Sequence, residues 1–392
     1  MKRILLVLLS WSLASVCASA ATHAVLPGTS IQAKVDIAAP GDTIAIFGGT
    51  YQQTVNIDKA LTVVPVSGEI VTIAGLVSVT DGQGVLIQNI DTDGTGISVS
   101  GTSSVSIQGG THQSISQTGG ELAVSSAEIL GSFTASSAAQ KTTAFRIVVG
   151  SAVNWAAQKA WLGYSEADRL YFSGTGTRAI IVGCTIDRAS YPAISLSGSD
   201  NEYSIINNIL RIYFNTSDYN KPAILVQSTG TSTVSNNYIQ NAYPSARATG
   251  IYSPASTSIN ISNNIFHNFV FGVYEPFGIS ASNNLYWQVS TQVAGGVIQE
   301  NPLAGDPLFI DNDPRTLQPD SPCINAGTDN PLYANRDGSR NTIGPTGGAW
   351  FDPDGWTTEN PVVISFDLGP EVLLEGVDTE VLLSNGQAVS QP

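Results

Sequence analysis

The chain has 392 residues, only 12% of them charged, and 31 acidic against 16 basic side chains leave a net charge of −15. That balance offers no basic face for phosphate and excludes nucleic acid as a partner class. Three cysteines are too few for a disulfide scaffold.

In chain order, Lys2-Arg3, the apolar run from Ile4 to Val16, and Ala18-Ser19-Ala20 follow the layout of an export signal. Residues 1–20 are therefore expected to be removed, and the protein to reside in the extracellular space or periplasm. Val16 stands before Cys17 where a lipid-attachment signal needs a small residue, which argues against lipidation. No later stretch reaches the roughly 18 apolar residues of a membrane span. Thr29-Ser30 followed by Ile31, Val35 and Ala38 predicts a short capped helix stopped by Pro40-Gly41. Short strands follow between Gly, Ser and Thr turns, among them 43–47, 54–57, 61–64, 85–90, 105–107, 122–124 and 145–149. Residues 151–170, with Trp155-Ala-Ala-Gln-Lys-Ala-Trp161, predict a helical or irregular insertion.

The second half carries a recurring phrase, two adjacent asparagines between short apolar strands: Asn207-Asn208, Asn236-Asn237, Asn263-Asn264 and Asn283-Asn284. A phrase returning at steps of 29, 27 and 20 residues marks a solenoid whose repeats bury their apolar faces against one another. Alternating apolar positions make each unit a strand, and asparagine suits a left-handed corner whose amides can bond along the stack. Cys184 occupies the aligned asparagine position and is expected to be buried rather than bridged to Cys323. Roughly ten coils at about 4.8 Å predict a rod near 50 Å long.

Ser30-Ile-Gln-Ala, Pro40-Gly-Asp-Thr-Ile44, Gly49-Thr-Tyr51 and Lys59-Ala-Leu-Thr62 resemble the opening of secreted right-handed parallel β-helix proteins of the pectate-lyase-like superfamily. Gly305-Asp-Pro-Leu-Phe309, Leu317-Gln-Pro-Asp-Ser-Pro322 and Asn325-Ala-Gly327 resemble the close of many bacterial members. The resemblance implies an all-β fold, a right-handed parallel β-helix with an N-terminal helical cap, over residues 22–347. Residues 348–392 form an irregular tail that could begin a β-sandwich module. These motifs specify architecture and not chemistry.

Chemistry is sought where the repeat lines side chains up. One position past the inward residue of each coil, and so facing outward, stand Asp187, Arg211, Gln240, His267 and Trp287. Tyr213 and Tyr243 follow shortly, and Tyr252 and Tyr274 face outward from the next strand series. A strip mixing an acid, a guanidinium, an imidazole and aromatic faces suits a sugar-chain groove. In that reading Arg211 holds a sugar carboxylate or hydroxyl, and His267, with an ordinary pKa near 6.5, is the base or acid. Asp187 orients Arg211 or serves as partner acid; Gln240, Trp287 and the four tyrosines bind substrate. The same pattern also fits an ordinary solvated strand face.

Complete catalytic signatures are missing. Asp91-Thr92-Asp93-Gly94 resembles one polygalacturonase-type motif, but its companions are absent and the tetrapeptide reads as a turn. Among the histidines, His23 lies near the processed end and His112 in a Gly-rich turn, and no pair has metal-ligand spacing. Asp306, Asp311 and Asp313 read as Asx-turns, leaving calcium as the one ion the acidic turns could take; otherwise no cofactor is expected. The sequence thus leads to an exported β-helix that acts on or binds polysaccharide, as a lyase or glycoside hydrolase if it is an enzyme. The alternatives are a non-catalytic surface or matrix protein and a binding module of a larger exported system.

Overall fold

The computed structural model describes residues 20–187, 192–213, 221–243, 248–254 and 258–351, together with the backbone of 188–189, Val362–Leu368 and Ser384–Val389. The expected export signal lies outside these residues apart from Ala20. Strand makes up 53% of the chain and helix 3%, so the fold is all-β: a right-handed parallel β-helix of about 13 turns. At about 4.8 Å per turn the rod is roughly 60 Å long, longer than the sequence reading. Period-2 alternation builds each coil; in Thr43–Ile46 and Ile97–Ser100 the apolar residues turn inward and the hydroxyls outward. One end is covered by the helix Ile31–Ile37, whose Ser30 hydroxyl accepts from the Ala33 N–H at 3.1 Å. Ile31 and Val35 sit on the first coil and shield its strand edges.

A one-residue corner recurs down the rod. Strands ending at Gln88, Gln108, Ser125, Phe145, Gly163, Val182, Ile206, Ser235, Ser262 and Ser282 pair in register, each with the next. The residue after each has positive φ, from 48° at Tyr164 to 67° at Gly109. The following residue points inward. At Asn208, Asn237, Asn264 and Asn284 this inward amide forms a ladder, with Nδ2 to Oδ1 distances of 3.0, 2.9 and 3.0 Å between successive coils. Each Oδ1 also accepts a backbone N–H of the preceding coil, from Cys184 at 2.8 Å to Asn264 at 2.9 Å. Each Nδ2 donates to a carbonyl as well, so the buried amides are satisfied. Cys184 continues the column as a buried free thiol, pushed up to about 12 by burial.

Residues 151–170 depart from expectation. Val148–Trp155, Lys159–Gly163 and Glu166–Phe172 are strands of the solenoid, paired on both sides without leaving it. The expected helical or irregular insertion is absent from this segment, and its two tryptophans face opposite ways. Trp155 is buried inside, edge-on to Phe133 at 4.9 Å and Phe172 at 5.8 Å, while Trp161 stacks outside on Phe145.

The solenoid also ends earlier than residue 347, at Leu303–Ala304. Residues 305–351 run back along the outside of the rod. Phe309–Ile310 and Asp313–Leu317 form a small antiparallel pair. Asp306 and Asp313 each accept from the N–H two residues on, the Asx-turn geometry. Outward-facing Ile209, Tyr238, Ile265 and Leu285 form a second core with Cys323 and Ile343 of this returning strap. The left-handed corner asparagines hold it. Asn263 Oδ1 accepts from Thr328 N–H, Asn236 Nδ2 donates to Asn341 and Thr342, and Asn207 Nδ2 donates to Pro345 and Gly347. Gly183 leaves room for the Tyr164 ring, which would stand 2.6 Å from a Cβ there, and the Tyr164 hydroxyl reaches the Trp350 carbonyl at 3.3 Å. Past residue 351, Val362–Leu368 and Ser384–Val389 pair as a two-stranded antiparallel sheet; the rest of the expected sandwich segment lies outside the described residues.

Candidate functional site

The outward residues form one continuous column. Register pairs Asp187 with Arg211, Arg211 with Gln240, Gln240 with His267, and His267 with Trp287. Neighbours are therefore about 4.8 Å apart along one sheet. Tyr252 and Tyr274 pair on the next sheet with rings parallel, 5.4 Å between centroids. At the corner between the two sheets, Tyr213 and Tyr243 pack edge to face at 6.3 Å and are 41% and 45% exposed. Asp187, Arg211 and Gln240 are half-buried.

His267 does not have the environment expected of it. It is 7% exposed, stacked on Trp287 at 3.7 Å, and its Nδ1 lies 2.8 Å from the Tyr238 hydroxyl. Phe309 of the strap closes over this end, 5.2 Å from Tyr238 and 6.4 Å from Trp287. Burial pushes the His267 pKa down to about 4, against weaker opposing effects of Gln288 and Asp306. It is a neutral packing imidazole near pH 7, not a base poised at 6.5. The motifs of residues 305–327 mark the close of the fold but carry no signal that the strap returns over this column.

A pH dependence follows. Between about 4 and 6.5 the unfolded imidazole takes a proton that the folded one refuses, so the stabilising contribution is present above 6.5 and lost as pH falls toward 4. The His267→Phe variant is expected to remove about 2–3 kcal/mol of acid sensitivity in that window. Urea unfolding at pH 7 and pH 4.5 measures it; an equal loss in both proteins would refute the assignment.

Other candidates are structural. Asp91 Oδ1 accepts from the Thr111 N–H at 2.8 Å, tying two coils together. His112 is fully buried, with Nδ1 3.2 Å from the Thr92 hydroxyl and Nε2 3.2 Å from the Gly109 carbonyl, and burial lowers its pKa. Cys323 lies in the second core with its thiol pushed up to about 12 by burial. No group of three His, Cys, Asp or Glu side chains able to hold a metal occurs among the described residues, and none of their helices is long and apolar enough to cross a membrane.

A family model described as periplasmic copper-binding protein (NosD) matches residues 77–305. No curated protein matches the chain. The matched stretch contains the asparagine repeats and the whole outward column.

Proposed function

The chain belongs to the NosD family of periplasmic β-helix proteins, and from that premise we propose that it binds an extended sugar chain at the tyrosine-lined corner of the rod without cleaving it. Its place is outside the cytoplasm, in the periplasm or extracellular space. The observation that carries the reading is the set of paired tyrosines on adjacent coils, Tyr213 with Tyr243 and Tyr252 with Tyr274. Aromatic rings repeating at about the coil rise, flanked by Arg211, Gln240 and Asp187, supply stacking surface and polar grips for a repeating polymer. Binding is preferred to cleavage because the one imidazole of the column is buried beneath Trp287 and Phe309. A lyase or hydrolase would need another proton-transfer group.

Copper in the family's description does not find ligands among the described residues of the matched stretch. His112 is enclosed within a coil, His267 is stacked on Trp287 with Nδ1 at the Tyr238 hydroxyl, and Cys184 is a buried protonated thiol. His112 and Cys184 face inward from different coils and His267 stands on the outward column, so the three cannot converge on one ion and no copper-dependent step is assigned to them.

Affinity electrophoresis against uronate and neutral polysaccharides tests the proposal. At least one polymer should retard the protein, and the Tyr213→Ala/Tyr243→Ala pair should weaken retardation about fivefold or more, each ring contributing roughly 0.5–1.5 kcal/mol. Release of reducing ends or new double bonds would replace this reading with an enzymatic one. Failure of every polymer to bind would end it.

A further inference from the structure

The first residues of the solenoid converge on one buried carboxylate. Asp42, 6% exposed, accepts from the Ala21 N–H at 2.7 Å on Oδ1, and on Oδ2 from His23 Nε2 at 2.8 Å and the Ala39 N–H at 2.8 Å. The Ala21 carbonyl in turn accepts from Thr43 N–H at 2.8 Å, where the strand Thr22–Val25 joins Thr43–Ile46 in register. Ala21 is also the residue that follows Ala18-Ser19-Ala20, the small-residue cleavage motif. Cleavage there would turn the Ala21 nitrogen from an amide into a primary amine and give the chain the start Ala21-Thr22-His23.

We propose that removal of the leader after Ala20 creates a Cu(II) site at the new N-terminus, made of the Ala21 amine, the Thr22 and His23 amide nitrogens and Nδ1 of His23. A free amine two residues before a histidine places these nitrogens so that fused chelate rings close around one ion in a plane, the geometry that Cu(II) and Ni(II) favour. The fold already meets two requirements of such a site. The Ala21 nitrogen and the His23 ring are held together, since both bond to the same carboxylate. Asp42 accepts on both oxygens, from the Ala21 and Ala39 N–H groups and from Nε2 of His23, so Nε2 is the donor and the Nδ1 lone pair is left for a metal. A carboxylate on the far nitrogen of a ligating histidine is the usual support for such a ligand.

Binding needs no redox step. The amine gives up one proton, the two amides one each, and copper remains Cu(II). Its structural cost is local, because Ala21 must leave Asp42 and the Thr22–Thr43 and His23–Ile44 pairs must open. The site lies outside residues 77–305, so it is a property of this chain's own N-terminus and not of the matched stretch.

The test uses protein exported with its own leader. Intact mass should place the first residue at Ala21, and one equivalent of Cu(II) should give the electron paramagnetic resonance pattern of a square-planar site with nitrogen ligands. His23→Ala should lose that signal. A form with one glycine before Ala21, which keeps every side chain, should lose it as well. A different first residue, absence of the nitrogen signal, or equal binding by the glycine-extended form would each overturn the proposal.

Discussion

Asn237→Ala is expected to lower the unfolding free energy by about 3 kcal/mol, since several buried partners lose their bonds at once. Its Oδ1 accepts from both the backbone and side-chain nitrogens of Asn208, and its Nδ2 donates to Ile205, Ser235 and Asn264. Alanine leaves an amide N–H and two carbonyls without side-chain partners inside a stack that is closed to water. The cost should appear in guanidinium denaturation as a lowered midpoint at unchanged slope. A loss below about half a kcal/mol would mean that the ladder is ornamental to stability.

The returning strap should prove equally integral. Ile343 is fully buried against Ile209, Tyr238, Ile265 and Leu285, so Ile343→Ala is expected to cost about 2–5 kcal/mol through lost burial and the cavity left behind. Because Asn207, Asn236 and Asn263 also hold the strap, hydrogen exchange at 328–347 should accelerate together in the variant. Unchanged exchange there with a stability loss under 1 kcal/mol would show the strap to be a loosely attached tail.

Much of the architecture was legible because its signals are local. Ser30, Ile31 and Val35 announce a capped amphipathic helix, and the alternation in segments such as Thr43–Ile46 announces strands. The asparagine pairs were readable for two reasons that the structure separates: the first residue takes the left-handed corner and the second supplies the inner ladder. Earlier coils turn the same corner with Ser126, Arg146 and Tyr164, residues with no special preference for positive φ. There the neighbouring coils impose the conformation, which a segment read alone does not reveal.

The column was legible for a related reason. Strand alternation and the fixed corner carry register from one coil to the next, so Asp187, Arg211, Gln240, His267 and Trp287 could be aligned by counting from the asparagines. Counting cannot report what lies over a face. Contacts between Phe309 and Tyr238, or Thr328 and Asn263, join residues far apart in the chain and leave no periodic trace.

By itself, then, the sequence determined the parallel β-helix, its helical cap, the asparagine ladder and the order of the outward side chains, all consequences of short-range alternation and repeat spacing. Only the tertiary structure decided which part of that outward face meets water. The strap buries Tyr238 and His267 and leaves Tyr213 and Tyr243 exposed. An imidazole's proton affinity depends on that covering, because removing water from around the ring disfavours its charged form whatever residues precede or follow it.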